Sequence, residues 1–346
     1  MKLAPKKILI VLHGSLGDVT RAIPLANLLR RGFPAARIAW SIEPAALPLV
    51  ERHPAVDEVI LFDRARWRHS LRPFLDRIRA SRFDLVLDLQ RHLKSGLISR
   101  WSGAPERVGF NRRDAKEMNW LFNNRSIPPA PERISKLNHY LNFAEYLGLN
   151  PSPVEWNFRL SSEEESAAER LAREAGGPFA AYLVGGRWES KRWFPDQAAE
   201  SAAEVKRRHG LAIVLLGGKE DADFAAAMER QSPERCLNLT GRTSLREVIG
   251  ILRRAEVAVG PDSGLMHLSA AVGTPVVSLW GPTDPLRTGP FGYPELAVQG
   301  RAACAPCYLK RCPIGRVCMR SIRSEEVLVK VGAALSIKGK ARDAGG

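Results

Sequence analysis

The sequence predicts an α/β protein built from two halves, each a parallel sheet with helices on both faces. Three observations carry this. Short apolar runs alternate with amphipathic stretches through most of the 346 residues. The runs are nearly continuous in apolar character, as strands buried on both faces should be. The series also restarts after a junction at roughly Asn150 to Gly177, which contains Pro151-Ser152-Pro153 and an acidic stretch, and the chain is long enough for two domains.

In the first half, strands are expected at Lys7–Leu12, Arg37–Ser41, Glu58–Leu61 and Leu85–Asp88. Helical patterns lie between them, including Val19–Arg31 and Leu71–Ser81. In the former, Val19, Ala22, Ile23, Ala26 and Leu29 recur at helical spacing. The second half opens with an acidic helix around Ser162–Ala175. Its strands are expected at Phe179–Val184, Ala212–Leu216, Val257–Val259 and Val276–Leu279, with helices at Asp196–Arg208, Asp221–Gln231 and Ser244–Arg253. The halves share no clear sequence repeat. One more helix pattern follows Ser324, and the polar end from Lys338 to Gly346 is expected to fray.

No apolar run is long enough to span a bilayer. The start, Met1-Lys2-Leu3-Ala4-Pro5-Lys6-Lys7, lacks a secretory profile, so a cytoplasmic protein is expected. A disulfide framework is not expected in that reducing compartment. The formal net charge is +15, which implies acidic partners: nucleic acid, anionic lipid or phosphorylated small molecules. Between Arg64 and Lys116, 14 Lys/Arg stand against 5 Asp/Glu, so one segment supplies +9 of that charge. A solvated basic face would be more scattered, and an anionic surface partner accounts better for the concentration. Trp67, Phe74, Phe83, Trp101 and Phe110 are interspersed there. They are too far apart to form a stacking platform for nucleic acid, and core packing is expected for most of them.

The first motif is Gly14-Ser15-Leu16-Gly17-Asp18, a glycine loop opening a helix after the first strand. Gly14 and Gly17 let backbone approach a ligand, and a helix start favours negative charge. The spacing is not the full dinucleotide fingerprint, and an acid there would repel a pyrophosphate. Asp18 reads as an N-cap, as a proton acceptor kept ionised by the helix dipole, or as both, since a carboxylate has two oxygens. Glu43, after the second strand, keeps a dinucleotide reading open as a ribose-binding acid.

The second half carries several ligand-type loops on one sheet edge. Gly260-Pro261-Asp262-Ser263-Gly264-Leu265-Met266-His267 is a strand end, a turn and a helix start, with Asp262 or Ser263 as cap. The N–H groups of Ser263 and Gly264 would face a phosphate. Gly185-Gly186-Arg187 and Lys191-Arg192 bring cations to the same edge, where they would stabilise a departing diphosphate. Gly217-Gly218-Lys219-Glu220-Asp221 and Gly281-Pro282-Thr283-Asp284-Pro285 follow two further strands. Cys304, Cys307, Cys312 and Cys318 have spacings close to those of zinc sites, so a structural zinc is weighed against free thiols in a surface loop.

These residues resemble glycosyltransferase family 9, the bacterial heptosyltransferases. The likeness rests on Gly14-Ser15-Leu16-Gly17-Asp18-Val19, Lys191-Arg192-Trp193-Phe194-Pro195, Asp262-Ser263-Gly264-Leu265-Met266-His267 and Gly281-Pro282-Thr283-Asp284-Pro285, in the family order. Trp40-Ser41-Ile42-Glu43, Asp84-Leu85-Val86-Leu87-Asp88 with Lys94-Ser95, and Leu121-Phe122-Asn123-Asn124-Arg125 are most like the type I enzymes. Phe194 interrupts the usual Lys-x-Trp-Pro, and Gly185-Gly186-Arg187 replaces a hydroxyl pair.

The resemblance implies a GT-B fold, two Rossmann-like domains facing across a cleft. It implies an acceptor-binding domain over 1–160, a nucleotide-sugar domain over 161–322, and a segment 323–346 whose helix returns to the first domain. It implies an inverting transfer of L-glycero-D-manno-heptose from ADP-heptose to the lipopolysaccharide inner core, onto Kdo-lipid A or the first heptose, with no cofactor required. The catalytic residues would be Asp18 as base and Lys191 on the phosphates. The donor would be held by Gly14, Gly17, Gly186, Arg187, Asp221, Thr243, Asp262, Ser263, Gly264 and His267. Expected partners are the ADP-sugar, the core acceptor and the anionic inner face of the inner membrane, not nucleic acid. Two readings compete: an NAD-dependent dehydrogenase using Gly14, Gly17 and Glu43, and a nucleic-acid-binding protein using the 64–116 segment.

Overall fold

The computed structural model describes residues 4–232 and 234–343. The chain divides into two units, 1–159 and 160–346. The first contains β1 (Lys7–Val11), α1 (Leu16–Gly32), β2 (Arg37–Ile42), β3 (Glu58–Leu61), α2 (Trp67–Ser81), β4 (Leu85–Asp88), α3 (Leu93–Trp101), β5 (Glu106–Gly109), β6 (Arg125–Ser126) and α4 (Lys136–Tyr146). Its six strands are all parallel, in the order β3-β2-β1-β4-β5-β6. The central strands are buried on both faces; Ile8, Leu9, Ile10 and Val11 expose nothing.

The first helix shows how sequence and tertiary contact divide the work. Ser15 caps α1 and forms a reciprocal capping box with Asp18. Pro24 inside the helix has no N–H to give to the Thr20 carbonyl one turn earlier. That carbonyl accepts from Trp156 Nε1 instead, at 2.7 Å, so the loss is made good from the far end of the unit.

The second unit contains α5 (Ser162–Arg173), β7 (Phe179–Leu183), α6 (Pro195–His209), β8 (Ala212–Leu216), α7 (Ala222–Gln231), β9 (Leu237–Asn238), α8 (Leu245–Arg254), β10 (Val257–Pro261), α9 (Gly264–Ala271), β11 (Val276–Trp280), α10 (Pro285–Thr288), β12 (Ala297–Gln299), α11 (Val317–Arg320) and α12 (Ser324–Asp343). The sheet is again six-stranded and parallel, in the order β12-β11-β10-β7-β8-β9. α12 packs on α6 and the β10–β12 side, and its Val327, Leu328, Val331 and Ala334 join the core of this unit.

The eight predicted strands are present with ends within two residues of expectation. β5, β6, β9 and β12 were not foreseen, since two to four residues give too little pattern to separate from loop. The tail departs from expectation: the helix runs on through Lys338 to Asp343, and residues 344–346 lie outside the described part. In both sheets the chain order reverses beside the first strand laid down, between β1 and β4 and between β7 and β10. Those switch points leave a crevice at the carboxyl ends of the strands, where ligands gather in such sheets.

Candidate active site

In the first unit the crevice is bounded by the loops after β1 and β4. Gln90 ties them together: it accepts from the His13 N–H at 2.8 Å and donates to the His13 carbonyl at 3.2 Å. The His13 ring pairs with Ser41 Oγ at 2.6 Å and stacks on Phe62. Burial, helped by the nearby Arg64 charge, pulls the His13 imidazole down to about 4, so it is neutral at pH 7.

Asp18 stands in the first turn of α1. The sequence offered it as an N-cap; the cap is Ser15, and Asp18, the third residue of the helix, closes the box. The Ser15 N–H and Oγ donate to Asp18 Oδ2, at 3.0 and 2.8 Å. Arg21 donates to Oδ1 at 2.9 Å, and the Lys136 ammonium, from the start of α4, donates to the same oxygen. Burial by itself would raise this carboxyl. The Lys136 and Arg21 charges outweigh it, with hydrogen bonds from Lys136 and Ser15, and hold it well below the usual carboxylate range. Gly14 is required by contact: a Cβ there would lie 2.6 Å from the Asp18 Cβ. Gly17 is buried.

A cavity of about 500 Å³ opens at the same sheet edge, with Phe62, Trp67, Leu97 and Trp101 on its walls and Arg64 and Lys94 among its charged lining. Of the five aromatics in the basic segment, Phe74, Phe83 and Phe110 are core residues, but Trp67 and Trp101 are about half exposed. Glu43 also lines the cavity and pairs with Arg64 at 3.6 Å. Behind it Asp88 is fully buried, and Asn119 Nδ2 donates to it at 2.6 Å. Burial pushes its carboxyl up against the pull of that bond and its neighbours.

In the second unit four loops converge. Lys191 Nζ donates to Asp262 Oδ2 at 2.6 Å and lies 4.4 Å from the centre of the Trp188 ring. Thr283 Oγ1 donates to the same Asp262 oxygen at 2.8 Å. His267 is buried one turn into α9, its Nε2 3.9 Å from Asp262 Oδ1. Ser263 caps α9, its side chain accepting from the Met266 N–H. Asp221 is buried beside the Gly185-Gly186 turn; a Cβ on Gly185 would come within 2.4 Å of its Oδ2. Gly218 N–H donates to Asp221 at 3.0 Å, Arg192 reaches it at 3.5 Å, and burial raises its carboxyl. Arg192 Nε also donates to the Gly186 carbonyl at 3.0 Å. Arg187 is exposed, and Thr243 Oγ1 is buried with no hydrogen-bond partner among the described residues.

The structure gives the zinc expectation no support. Among the described residues no group of three or more His, Cys, Asp or Glu is placed to hold a metal ion. The four thiols lie near enough for Cys312, Cys304 and Cys307 to act on Cys318, while their own contacts differ: Cys318 is turned into the core beside Met319, Cys312 Sγ accepts from the Arg316 N–H at 3.1 Å, and Cys304 is exposed. Burial, with the neighbouring Cys312, Cys304 and Cys307, pushes the Cys318 thiol up.

Sequence reasoning missed Arg21, Lys136, Gln90 and Thr283 as site residues. Ser15 carried a signal, since Ser-x-x-Asp before an apolar run is a capping-box pattern. Lys136 carried none, being 118 positions from the acid it touches.

Residues 71–318 match the model of glycosyltransferase family 9 (heptosyltransferase). The chain is similar to lipopolysaccharide heptosyltransferase 1 of Pseudomonas aeruginosa, 30% identical over 88% of this chain and 87% of that one. Among solved structures it resembles Escherichia coli ADP-heptose lipopolysaccharide heptosyltransferase II, with a TM-score of 0.73, 25% identity, and 95% of this chain and 98% of that one covered. It also resembles E. coli heptosyltransferase WaaC with ADP, with a TM-score of 0.74, 22% identity, and 95% and 99% covered. The dehydrogenase and nucleic-acid readings are thereby set aside. The chain belongs to glycosyltransferase family 9, the heptosyltransferases, and is a glycosyltransferase with the GT-B fold.

Proposed function

We propose that this protein moves L-glycero-D-manno-heptose from ADP-heptose to the inner core of lipopolysaccharide, onto Kdo-lipid A or the first heptose, with inversion at the anomeric carbon. The observation that carries the reading is Asp18: an acid held ionised by Lys136 and Arg21 at the carboxyl edge of a parallel sheet. The names of the relatives support the reaction class and the acceptor, and the ADP in the WaaC structure supports the donor.

Asp18 takes the acceptor hydroxyl proton as that oxygen bonds to the anomeric carbon. The bond from that carbon to the diphosphate oxygen breaks, and ADP leaves with the electron pair. Lys191, with Arg187 or Arg192 and the start of α9 at Ser263-Gly264, stabilises the charge gathering on the diphosphate. Asp262 and Thr283 hold the Lys191 ammonium in place. Gly186, Asp221, Thr243 and His267 complete the donor side.

The first unit takes the acceptor. Its cavity edge combines cations with half-exposed Trp67 and Trp101, a surface suited to an anionic amphiphile. The protein then works at the inner face of the inner membrane as a peripheral protein. No helix among the described residues is long and apolar enough to cross a membrane.

The test is incubation with ADP-heptose and a panel of truncated core acceptors, read by mass spectrometry. One heptose added to a Kdo-bearing acceptor is the expected product. Absence of product on every acceptor, with ADP still bound, would sink the proposal.

A further inference from the structure

Asp18 poses a problem for its own proposed role. A carboxylate has about four lone-pair directions. Here Oδ2 receives the N–H and hydroxyl of Ser15, and Oδ1 receives Arg21 and Lys136. Both oxygens are therefore doubly occupied. A base must present a free lone pair to the proton it takes, so one donor has to leave before the acceptor hydroxyl can bind.

The four donors are not equally easy to move. Ser15 is fixed by the capping box, where its Oγ also accepts from the Asp18 N–H. Arg21 belongs to the same helix and its side chain is 9% exposed. Lys136 comes from another helix and is 28% exposed. Its position also works against its own helix. It is the first residue of α4, directly after the Ser135 cap, where the helix dipole repels a cation. Helix energetics gives no reason for a lysine there; the ion pair with Asp18 does.

We infer that Lys136 is a displaceable latch on the base: it occupies the Asp18 lone pair that the acceptor hydroxyl uses, and yields that oxygen when the acceptor arrives. This rests on the reading of Asp18 as base. Lys136 is thus a positioning residue, acting through Asp18. Its ammonium keeps its protons throughout, and the acceptor proton goes to Asp18. The displaced charge turns to an anionic group of the acceptor, and Asp18 becomes more basic as it leaves. The other charged or titratable groups near Asp18 are Arg21 on α1, Tyr140 on α4, and Arg91 after β4, whose charge is felt at Lys136 and Tyr140. Arg21 remains to hold the carboxylate in place.

The experiment compares wild type, Lys136→Met and Lys136→Arg with ADP-heptose and Kdo-lipid A across pH. In the wild type the acid limb set by Asp18 lies below the accessible range. In Lys136→Met it moves up by about one to three pH units, toward the accessible range, acceptor KM changes severalfold, and ADP affinity stays the same. Lys136→Arg restores the wild-type limb. A limb that stays put in Lys136→Met while kcat simply falls would overturn the latch and leave a structural role. Asp18→Asn retaining near-normal turnover would overturn the base itself, and the latch with it. A readout without turnover is the double-mutant cycle in thermal unfolding: Asp18→Asn should shift Tm less in the Lys136→Met background than in wild type, and additive shifts would mean that no pair forms.

Discussion

The two units each hold an acid–lysine pair at the carboxyl edge of a parallel sheet, after the first strand β1 in one and across the switch point from the first strand, after β10, in the other, and the two pairs are proposed to work in opposite senses. Asp18 sits inside the first turn of a 17-residue helix, with every lone pair taken by donors from three directions. Asp262 sits just before the cap of an eight-residue helix, and its Oδ2 gathers Lys191 and Thr283. In the first pair the lysine serves the acid, holding it ionised. In the second the acid serves the lysine, aiming an ammonium at the loops where the diphosphate is proposed to bind. A place at the carboxyl edge of a sheet therefore does not by itself fix a residue's task; the donors that reach it do.

The largest effect that could break this comparison comes from Asp18→Asn. Turnover should fall by about 10²–10⁴-fold with ADP affinity unchanged in calorimetry, because the loops proposed to hold the diphosphate belong to the other unit. Lys191→Ala should instead weaken ADP binding as well as lower turnover, by roughly 10²-fold in the latter. If both variants lost ADP affinity alike, the division of labour would be wrong.

A test of intermediate size concerns Gly14. Replacing it with Ala forces its new Cβ against the Asp18 Cβ, within 2.6 Å. The first turn of α1 must shift, at a cost of about 1–3 kcal/mol in denaturant unfolding, and kcat should suffer more than ADP affinity.

His13 sharpens the comparison through pH. Its folded value of about 4 lies below the unfolded reference of 6.5. The unfolded chain therefore binds the proton first, and stability falls as pH drops from 6.5 toward 4. The ring is partly exposed, so the contribution over that window is roughly 2–3 kcal/mol. In His13→Gln, unfolding followed by circular dichroism should show a shallower loss over the same range; an unchanged slope would place the dependence elsewhere.

The smallest effect on folding is expected at the half-exposed aromatics. Trp67→Ala should cost about 1 kcal/mol or less yet reduce partition onto phosphatidylglycerol vesicles severalfold, with little change on phosphatidylcholine. Equal partition before and after would remove the membrane from the first unit's role.

The frame and the second-unit site were largely legible in the sequence. Buried parallel strands leave continuous apolar runs, so Leu85–Asp88 and Ala212–Leu216 have the ends expected. The loops that gather Lys191, Asp221, Asp262 and Thr283 each follow a strand, and the carboxyl edge of a parallel sheet brings such loops together whatever their separation in the chain. The cysteine spacing alone did not establish a metal site, because the placement of each thiol is set by packing: Cys318 sits in the core of the second unit while Cys304 is exposed.

The sequence by itself determined the alternation of strand and helix, the glycines at the close approaches and the acid at each sheet edge, because these are local patterns of size and polarity. Only the tertiary structure decided which cation reaches which acid. Lys136 meets Asp18, and Trp156 meets the carbonyl that Pro24 leaves open, because packing sets distant helices side by side. Charge interactions fall off with distance through space rather than along the chain, so how firmly each acid is held ionised is settled by folding.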